Sequence, residues 1–118
     1  MALWHTGNGD TSVLLPEEAV SRLTQLLVDA ANPARIILYG SHARGEASAD
    51  SDVDIMVVET DVGDRLKEMV RLNRVVRSLG IPVDLLVVSK EKFDYWSDTP
   101  GNVYFEAAAE GRTLYEAA

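Results

Sequence analysis

Two acidic residues separated by one position, Asp52 and Asp54, have the clearest chemical potential in this 118-residue sequence. Residues 52–58 form a run rich in branched apolar residues, which predicts a β-strand. Because strand side chains alternate between faces, both carboxylates are expected to point the same way. Neighbouring like charges are unfavourable unless a divalent cation or another group compensates them. An Asp-x-Asp pair alone is nevertheless more often a plain turn beside a solvent-facing strand position.

A third aspartate, Asp84, lies near the start of another apolar run, residues 83–88, which predicts a second strand of the same kind. Aspartate is disfavoured within strands, so its presence there needs a reason. If the two strands are neighbours, Asp84 joins Asp52 and Asp54 on one face of the sheet. Three carboxylates would hold one or two Mg²⁺ ions, which clamp a triphosphate and lower the pKa of an attacking hydroxyl.

The dipeptide Gly40-Ser41 follows a short apolar run, residues 35–39, and precedes a predicted helix start. Glycine allows the backbone to approach a phosphate closely, and free N–H groups at a helix start bind anions. The Ser41 hydroxyl adds a donor, and Arg44 could neutralise a terminal phosphate. By itself, a Gly-Ser pair is more often a simple tight turn.

The remaining sequence supplies the elements that must position these residues. Apolar periodicity and end signals predict helices and strands in alternation, with an α/β (α+β) arrangement in which helices flank a small sheet. We expect a flexible leader over residues 1–15 and a single domain over 16–118, with residues 113–115 as a short tail. The predicted helices cover 16–31, 42–45, 64–79, 90–96 and 102–110, and the predicted strands cover 35–39, 52–58 and 83–88.

Composition narrows the possible partners and locations. The formal net charge is −8, so direct binding to a long nucleic acid is disfavoured by repulsion from its phosphates. The sequence contains no cysteine, which excludes disulfides and thiolate metal sites. No signal peptide or membrane-spanning apolar run is visible, so we expect a cytoplasmic protein without a membrane partner.

Taken together, the separate signals form a recognisable pattern. Gly40-Ser41, ten intervening residues and Asp52-Val53-Asp54 resemble the signature of nucleotidyltransferases of the DNA polymerase beta superfamily. The whole stretch 40–55 is similar to the minimal nucleotidyltransferases, which are short domains often encoded beside a helical HEPN protein. Residues 83–87 resemble the strand that carries the third catalytic aspartate, and residues 110–116 resemble the C-terminus of that family.

The resemblance implies a small mixed β-sheet flanked by helices. It also implies roles for six residues. Asp52 and Asp54 would bind the metal ions that hold ATP, and Asp84 would complete the second metal site and help to activate the acceptor hydroxyl. Phosphate binding would fall to the Gly40-Ser41 turn, with Arg44 as a helper. The reaction implied is in-line attack on the α-phosphate with release of pyrophosphate, catalysed by positioning and electrostatics.

The resemblance also implies a biological role. Minimal nucleotidyltransferases paired with HEPN proteins act as antitoxins, and they are similar to enzymes that move AMP from ATP onto a tyrosine of the HEPN toxin. A domain of this size leaves little room for an acceptor-binding domain of its own, which favours an external acceptor. Two alternatives stay open: a nucleotidyltransferase acting on a small molecule, and a non-catalytic antitoxin that neutralises its toxin by binding.

Overall fold

The computed structural model describes residues 15–118. Five α-helices and four β-strands follow one another in this part of the chain. In chain order they are α1 (Glu17–Ala31), β1 (Arg35–Tyr39), α2 (Ser41–Arg44), β2 (Val53–Glu59), α3 (Arg65–Val76, continued by a 3₁₀ turn over Arg77–Leu79), β3 (Val83–Ser89), α4 (Lys90–Trp96), α5 (Val103–Glu110) and β4 (Arg112–Glu116).

The strands form one mixed sheet in the order β3-β2-β1-β4. Strand β1 is antiparallel to both β2 and β4, whereas β2 and β3 are parallel and are connected through α3. The expectation of a small mixed sheet flanked by helices is therefore confirmed. The parallel pairing starts both aspartate-bearing strands at the same edge of the sheet.

Each face of the sheet carries its own core. Alternating residues of β2, namely Val53, Ile55 and Val57, pack with α1 and α3 on one face. The intervening residues Met56 and Val58 pack on the other face, which α4 and α5 cover. Asp54 shares the alternation of Met56, so it lies on the α4–α5 face.

The helix starts are specified locally, by side chains that satisfy free backbone N–H groups. The Asp64 carboxylate accepts a hydrogen bond from the Lys67 N–H at the start of α3, and the Ser89 hydroxyl does the same for Lys92 in α4. Asn102 caps α5 by accepting from the Phe105 N–H at 2.9 Å. These caps explain why the predicted boundaries agree with the structure to within a residue or two.

The predicted C-terminal tail is wrong, because residues 112–116 form the edge strand β4. This strand pairs with β1 through registers such as Ile36 with Tyr115, and it is tied to α1 by a two-pronged Arg112–Glu17 ion pair. Sequence patterns did not predict this strand because it has only five residues and most of them are exposed. A smaller correction applies to β2, which begins at Val53, so that Asp52 precedes the strand.

The predicted leader lies almost wholly outside the described residues. Leu15, its last residue, is described and packs against the core cluster under α1. Across residues 15–118, no helix is long and apolar enough to cross a membrane.

Candidate active site

Asp54 and Asp84 are direct neighbours on the parallel strands β2 and β3. The register runs from Val53–Val83 to Glu59–Ser89, and it places the two aspartates side by side near the start of both strands. Asp54 is half-buried, and Asp84 is exposed. The strand that carries Asp84 therefore lies beside the strand that carries Asp54, as expected if the aspartates share one face of the sheet.

Asp52 lies immediately before β2 and is exposed. Burial is the main reason why the pKa of Asp54 is raised, and the negative charges of Asp84, Asp52 and Glu106 raise it further. The His42 imidazole acts in the opposite direction and lowers it. Asp54 therefore lies within electrostatic reach of both Asp84 and Asp52.

Gly40 joins β1 to α2 and contacts the carboxylate of Asp54. Its backbone has φ 74° and ψ −156°, a conformation that is essentially restricted to glycine. A Cβ at this position would overlap the Asp54 Oδ2 atom and would also crowd its Cγ. Glycine is therefore required here both by the backbone turn and by the neighbouring aspartate.

Ser41 is the first residue of α2 and is half-buried beside this turn. The Gly40 carbonyl accepts hydrogen bonds from the N–H groups of Ala43 and Arg44, both at 3.1 Å. These bonds hold the Gly-Ser turn at the end of β1, where Tyr39 faces Asp54 across the antiparallel pair. The contact between Gly40 and Asp54 brings the Gly-Ser turn to the start of β2, which is the arrangement that the family resemblance implies.

Arg44 has a different environment from the one expected for a free phosphate ligand. Its guanidinium forms ion pairs with Glu46 at 2.8 Å, Glu106 at 3.3 Å and Glu110 at 3.7 Å. The latter two residues belong to α5, so Arg44 connects the loop side of the site to that helix. Its role in nucleotide binding stays a prediction, because any incoming phosphate would compete with these carboxylates.

Sequence reasoning missed Glu106 as part of the site. This residue on α5 contributes negative charge at both Asp54 and Tyr39 and pairs with Arg44. No local pattern could have revealed it, since it lies far along the chain from the Gly-Ser turn. Burial, together with the charges of Asp54, Asp84 and Glu106, raises the pKa of Tyr39 to about 12, so its hydroxyl stays protonated at neutral pH.

The donor set suits Mg²⁺, although among residues 15–118 no three carboxylate or imidazole groups are gathered at one ready-made ion position. Magnesium prefers oxygen ligands and is usually bound by one or two carboxylates together with substrate phosphates and water. Asp52, Asp54 and Asp84 supply only oxygen donors, and repulsion from Asp84 and Asp52 adds to burial in raising the pKa of Asp54. A cation would relieve that repulsion, so the residues present fit a metal that arrives with its nucleotide.

The glycine turn at the end of β1 thus contacts an aspartate of β2, whose neighbour on β3 is a second aspartate. The profile of the nucleotidyltransferase domain family matches residues 17–109, which include all six predicted site residues. The chain belongs to this nucleotidyltransferase family, and it is a nucleotidyltransferase.

One sequence relative and several solved structures extend the comparison. A Methanocaldococcus jannaschii protein, named as a putative protein adenylyltransferase, is 31% identical over 84 residues, covering 69% of this chain and 77% of the relative. A toxin–antitoxin crystal structure with AMP-PNP has a TM-score of 0.62 at 22% identity, covering 83% and 73% of the two chains. A complex of tri-AMPylated Shewanella oneidensis HEPN toxin with MNT antitoxin has a TM-score of 0.57 at 19% identity, covering 86% and 72%. At these identities the structural matches establish the shared fold.

Proposed function

We propose that this nucleotidyltransferase moves AMP from ATP onto a tyrosine hydroxyl of a partner HEPN toxin and thereby acts as its antitoxin. The observation that carries the proposal is the side-by-side placement of Asp54 and Asp84 next to the Gly40-Ser41 turn. The relative named as a protein adenylyltransferase and the fold shared with an MNT antitoxin bound to an AMPylated HEPN toxin support the choice of reaction and partner.

The chemistry is a group transfer at the α-phosphorus of ATP. The acceptor oxygen forms a bond to this phosphorus, the bond to the bridging oxygen of the β-phosphate breaks, and pyrophosphate leaves. Bound Mg²⁺ would neutralise the phosphate charge and acidify the acceptor hydroxyl. Asp52 and Asp54 would hold the metal, with Asp84 completing the site and receiving the proton of the acceptor hydroxyl.

The other residues of the site orient ATP. The backbone and hydroxyl of Gly40-Ser41 would hold the phosphates close to Asp54, because the absent side chain at Gly40 lets the two groups approach. Arg44 would exchange its ion pairs with α5 for a phosphate when ATP binds. Positioning and charge stabilisation account for most of the expected rate, as in other phosphoryl and nucleotidyl transfers.

Labelled ATP tests the proposal directly. The purified chain is incubated with Mg²⁺, ATP labelled at the α-phosphate and a candidate HEPN protein taken from a neighbouring gene. We expect label on the HEPN protein, no label when ATP carries it at the γ-phosphate, and no transfer with Asp52→Asn combined with Asp54→Asn. Asp61→Asn is the matched control, because this exposed acid follows the other end of β2 and should leave transfer unchanged.

The same experiment separates the two alternatives. A non-catalytic antitoxin would bind the HEPN protein and neutralise it in cells without any label transfer, and the double aspartate variant would protect as well as the unaltered chain. A small-molecule nucleotidyltransferase would leave the HEPN protein unlabelled and place the label in an acid-soluble product. Replacing the tyrosines of the HEPN protein by phenylalanine, one at a time, would identify the acceptor.

A further inference from the structure

The outer surface of α3 combines exposed aliphatic side chains with a concentration of positive charge. Leu66 is 70% exposed and Val70 is 53% exposed, which makes them two of the four large apolar residues exposed in the described chain. Five of the eleven basic residues of the sequence also fall within residues 65–77. We call this surface the α3 stripe, and its lining residues are Leu66, Lys67, Val70, Arg71, Arg74 and Val75.

The α3 stripe lies on the opposite side of the sheet from the aspartates. Leu72 and Val76, on the inner side of α3, pack against the sheet face formed by Ile55 and Val57. Asp54 points to the other face, where α4 and α5 lie. Binding at the α3 stripe therefore leaves the nucleotidyltransferase site open.

The charges of the α3 stripe are only partly compensated within the chain. Arg71 is neutralised by a two-pronged ion pair with Glu68, at 2.9 and 2.8 Å. Across residues 15–118, no carboxylate lies within ion-pair distance of Lys67 or Arg74. An anionic amphipathic partner would complement this cationic rim and the exposed aliphatic groups beside it.

The spacing of the lining residues identifies the shape of the occupant. They recur four residues apart in two adjacent rows, so they form ridges and a shallow groove along the helix. The groove has a volume of about 600 Å³. With the usual rise per residue of an α-helix, the groove runs for about 14 Å from residue 66 to residue 75. This length matches two to three turns of a second helix.

We propose that the α3 stripe is a docking surface for an acidic amphipathic helix of a partner protein, separate from the transfer site. The aliphatic side of the partner helix would cover Leu66 and Val70, and its flanking carboxylates would pair with Lys67 and Arg74. A second copy of this chain docked symmetrically would place cation against cation. A nucleic acid would leave the aliphatic groups uncovered, and its phosphates would be repelled by the acidic remainder of the chain.

A designed peptide probes this surface without knowledge of the natural partner. The probe is a fluorescein-labelled, helix-stapled peptide of about 14 residues with leucines along one side and glutamates flanking them. Two matched peptides serve as controls: one with lysine in place of glutamate, and one with the leucines scattered around the helix. A single-stranded RNA oligonucleotide is the competing probe. Binding is measured by fluorescence anisotropy on the full chain at two salt concentrations.

Three variants connect any binding to the α3 stripe. Lys67→Glu with Arg74→Glu reverses the unpaired charges, and Leu66→Ser with Val70→Ser removes the apolar contact. Arg22→Glu is the matched control, because it reverses an exposed arginine on α1 outside the stripe. All the substituted side chains are exposed, and circular dichroism verifies that each variant is folded.

We expect the glutamate peptide to bind more tightly than both control peptides, and more weakly at high salt. Each double variant should weaken binding about tenfold or more, with Arg22→Glu within about twofold of the unaltered chain. Equal binding of the lysine peptide, or binding insensitive to both double variants, would overturn the proposal. So would tighter binding of RNA that Lys67→Glu with Arg74→Glu abolishes, because the surface would then be a nucleic-acid site. Loss of label transfer affects none of these measurements, so this proposal and the proposed function fail separately.

Discussion

The carboxylate of Asp54 lies directly against Gly40, in the space that a side chain at residue 40 would fill. This contact joins the two halves of the nucleotidyltransferase signature, one at the end of β1 and the other at the start of β2. It also explains why a glycine is needed at the turn, beyond the demands of its backbone conformation.

Replacing Gly40 by alanine should therefore abolish transfer and lower stability. The left-handed, extended conformation costs a non-glycine residue about 1–3 kcal/mol, and the new methyl group would displace the Asp54 carboxylate. Gly45→Ala is the matched control, since Gly45 has φ 72° but no atom within 4 Å of its missing Cβ. Urea unfolding and label transfer separate the effects: we expect Gly45→Ala to lose stability and keep transfer. Full activity in Gly40→Ala would show that this contact is not needed for transfer.

Replacing Asp54 by asparagine should abolish nucleotidyl transfer and raise the melting temperature. The neutral amide avoids the cost of burying a charge and the repulsion from Asp84 and Asp52, which together raise the pKa of Asp54. The melting temperature without metal should therefore rise by roughly 2–4 °C. Mg²⁺ with ATP should raise the melting temperature of the unaltered chain and leave that of the variant nearly unchanged. Differential scanning calorimetry with and without EDTA measures both effects. If Mg²⁺ and ATP raised the melting temperature of the variant as much as that of the unaltered chain, Asp54 would not be a ligand of the metal.

Arg44→Gln should raise the KM for ATP more than it lowers kcat. Loss of a charge-assisted contact to a phosphate costs roughly 1–2 kcal/mol, or about tenfold in KM. Initial rates of label transfer at varied ATP concentration provide the measurement, with Arg22→Gln as the matched control on α1. An unchanged KM with a lower melting temperature would show that Arg44 serves only to tie α2 to α5 through Glu106 and Glu110.

Ionisation of Glu59 should lower the free energy of unfolding at alkaline pH. It is buried at the end of β2, and among the described residues no hydrogen-bond partner reaches its Oε2. Burial is the main cause that raises the pKa of Glu59 to about 8, and the neighbouring Glu68 adds to it, while Arg71 opposes it. Because the folded chain holds this proton more tightly than the unfolded chain, its stabilising contribution is complete below about pH 4.5. That contribution is lost progressively as the pH rises to about 8.

Glu59→Gln should remove this loss, because the amide stays neutral at every pH. We expect the variant to exceed the unaltered chain in free energy of unfolding by roughly 4 kcal/mol at about pH 8.5, and by less than about 1 kcal/mol near pH 5. Chemical unfolding across this range provides the test, with the exposed Glu116→Gln as control. Parallel pH profiles for the two chains would show that Glu59 is ionised in the folded protein.

Much of the site could be predicted from local sequence. The Gly40-Ser41 turn, the alternation that puts Asp54 on one strand face, and the capped helix starts depend on neighbours in the chain, so pattern alone reveals them. Asp84 was equally visible in the sequence, as an acidic residue within an apolar run. The position of Asp84 beside Asp54 was conditional on strand order, which the sequence did not state.

The tertiary structure alone decided the strand order, the register and the rest of the site. The parallel pairing of β2 with β3 aligns Asp54 with Asp84, and β4 becomes an edge strand only because β1 offers it unpaired backbone groups. Arg44 meets Glu106 because α5 folds back over the sheet, across 62 positions of sequence. Local preferences act over a few residues, whereas these contacts are formed by burying two sheet faces at once, so only the complete fold determines them.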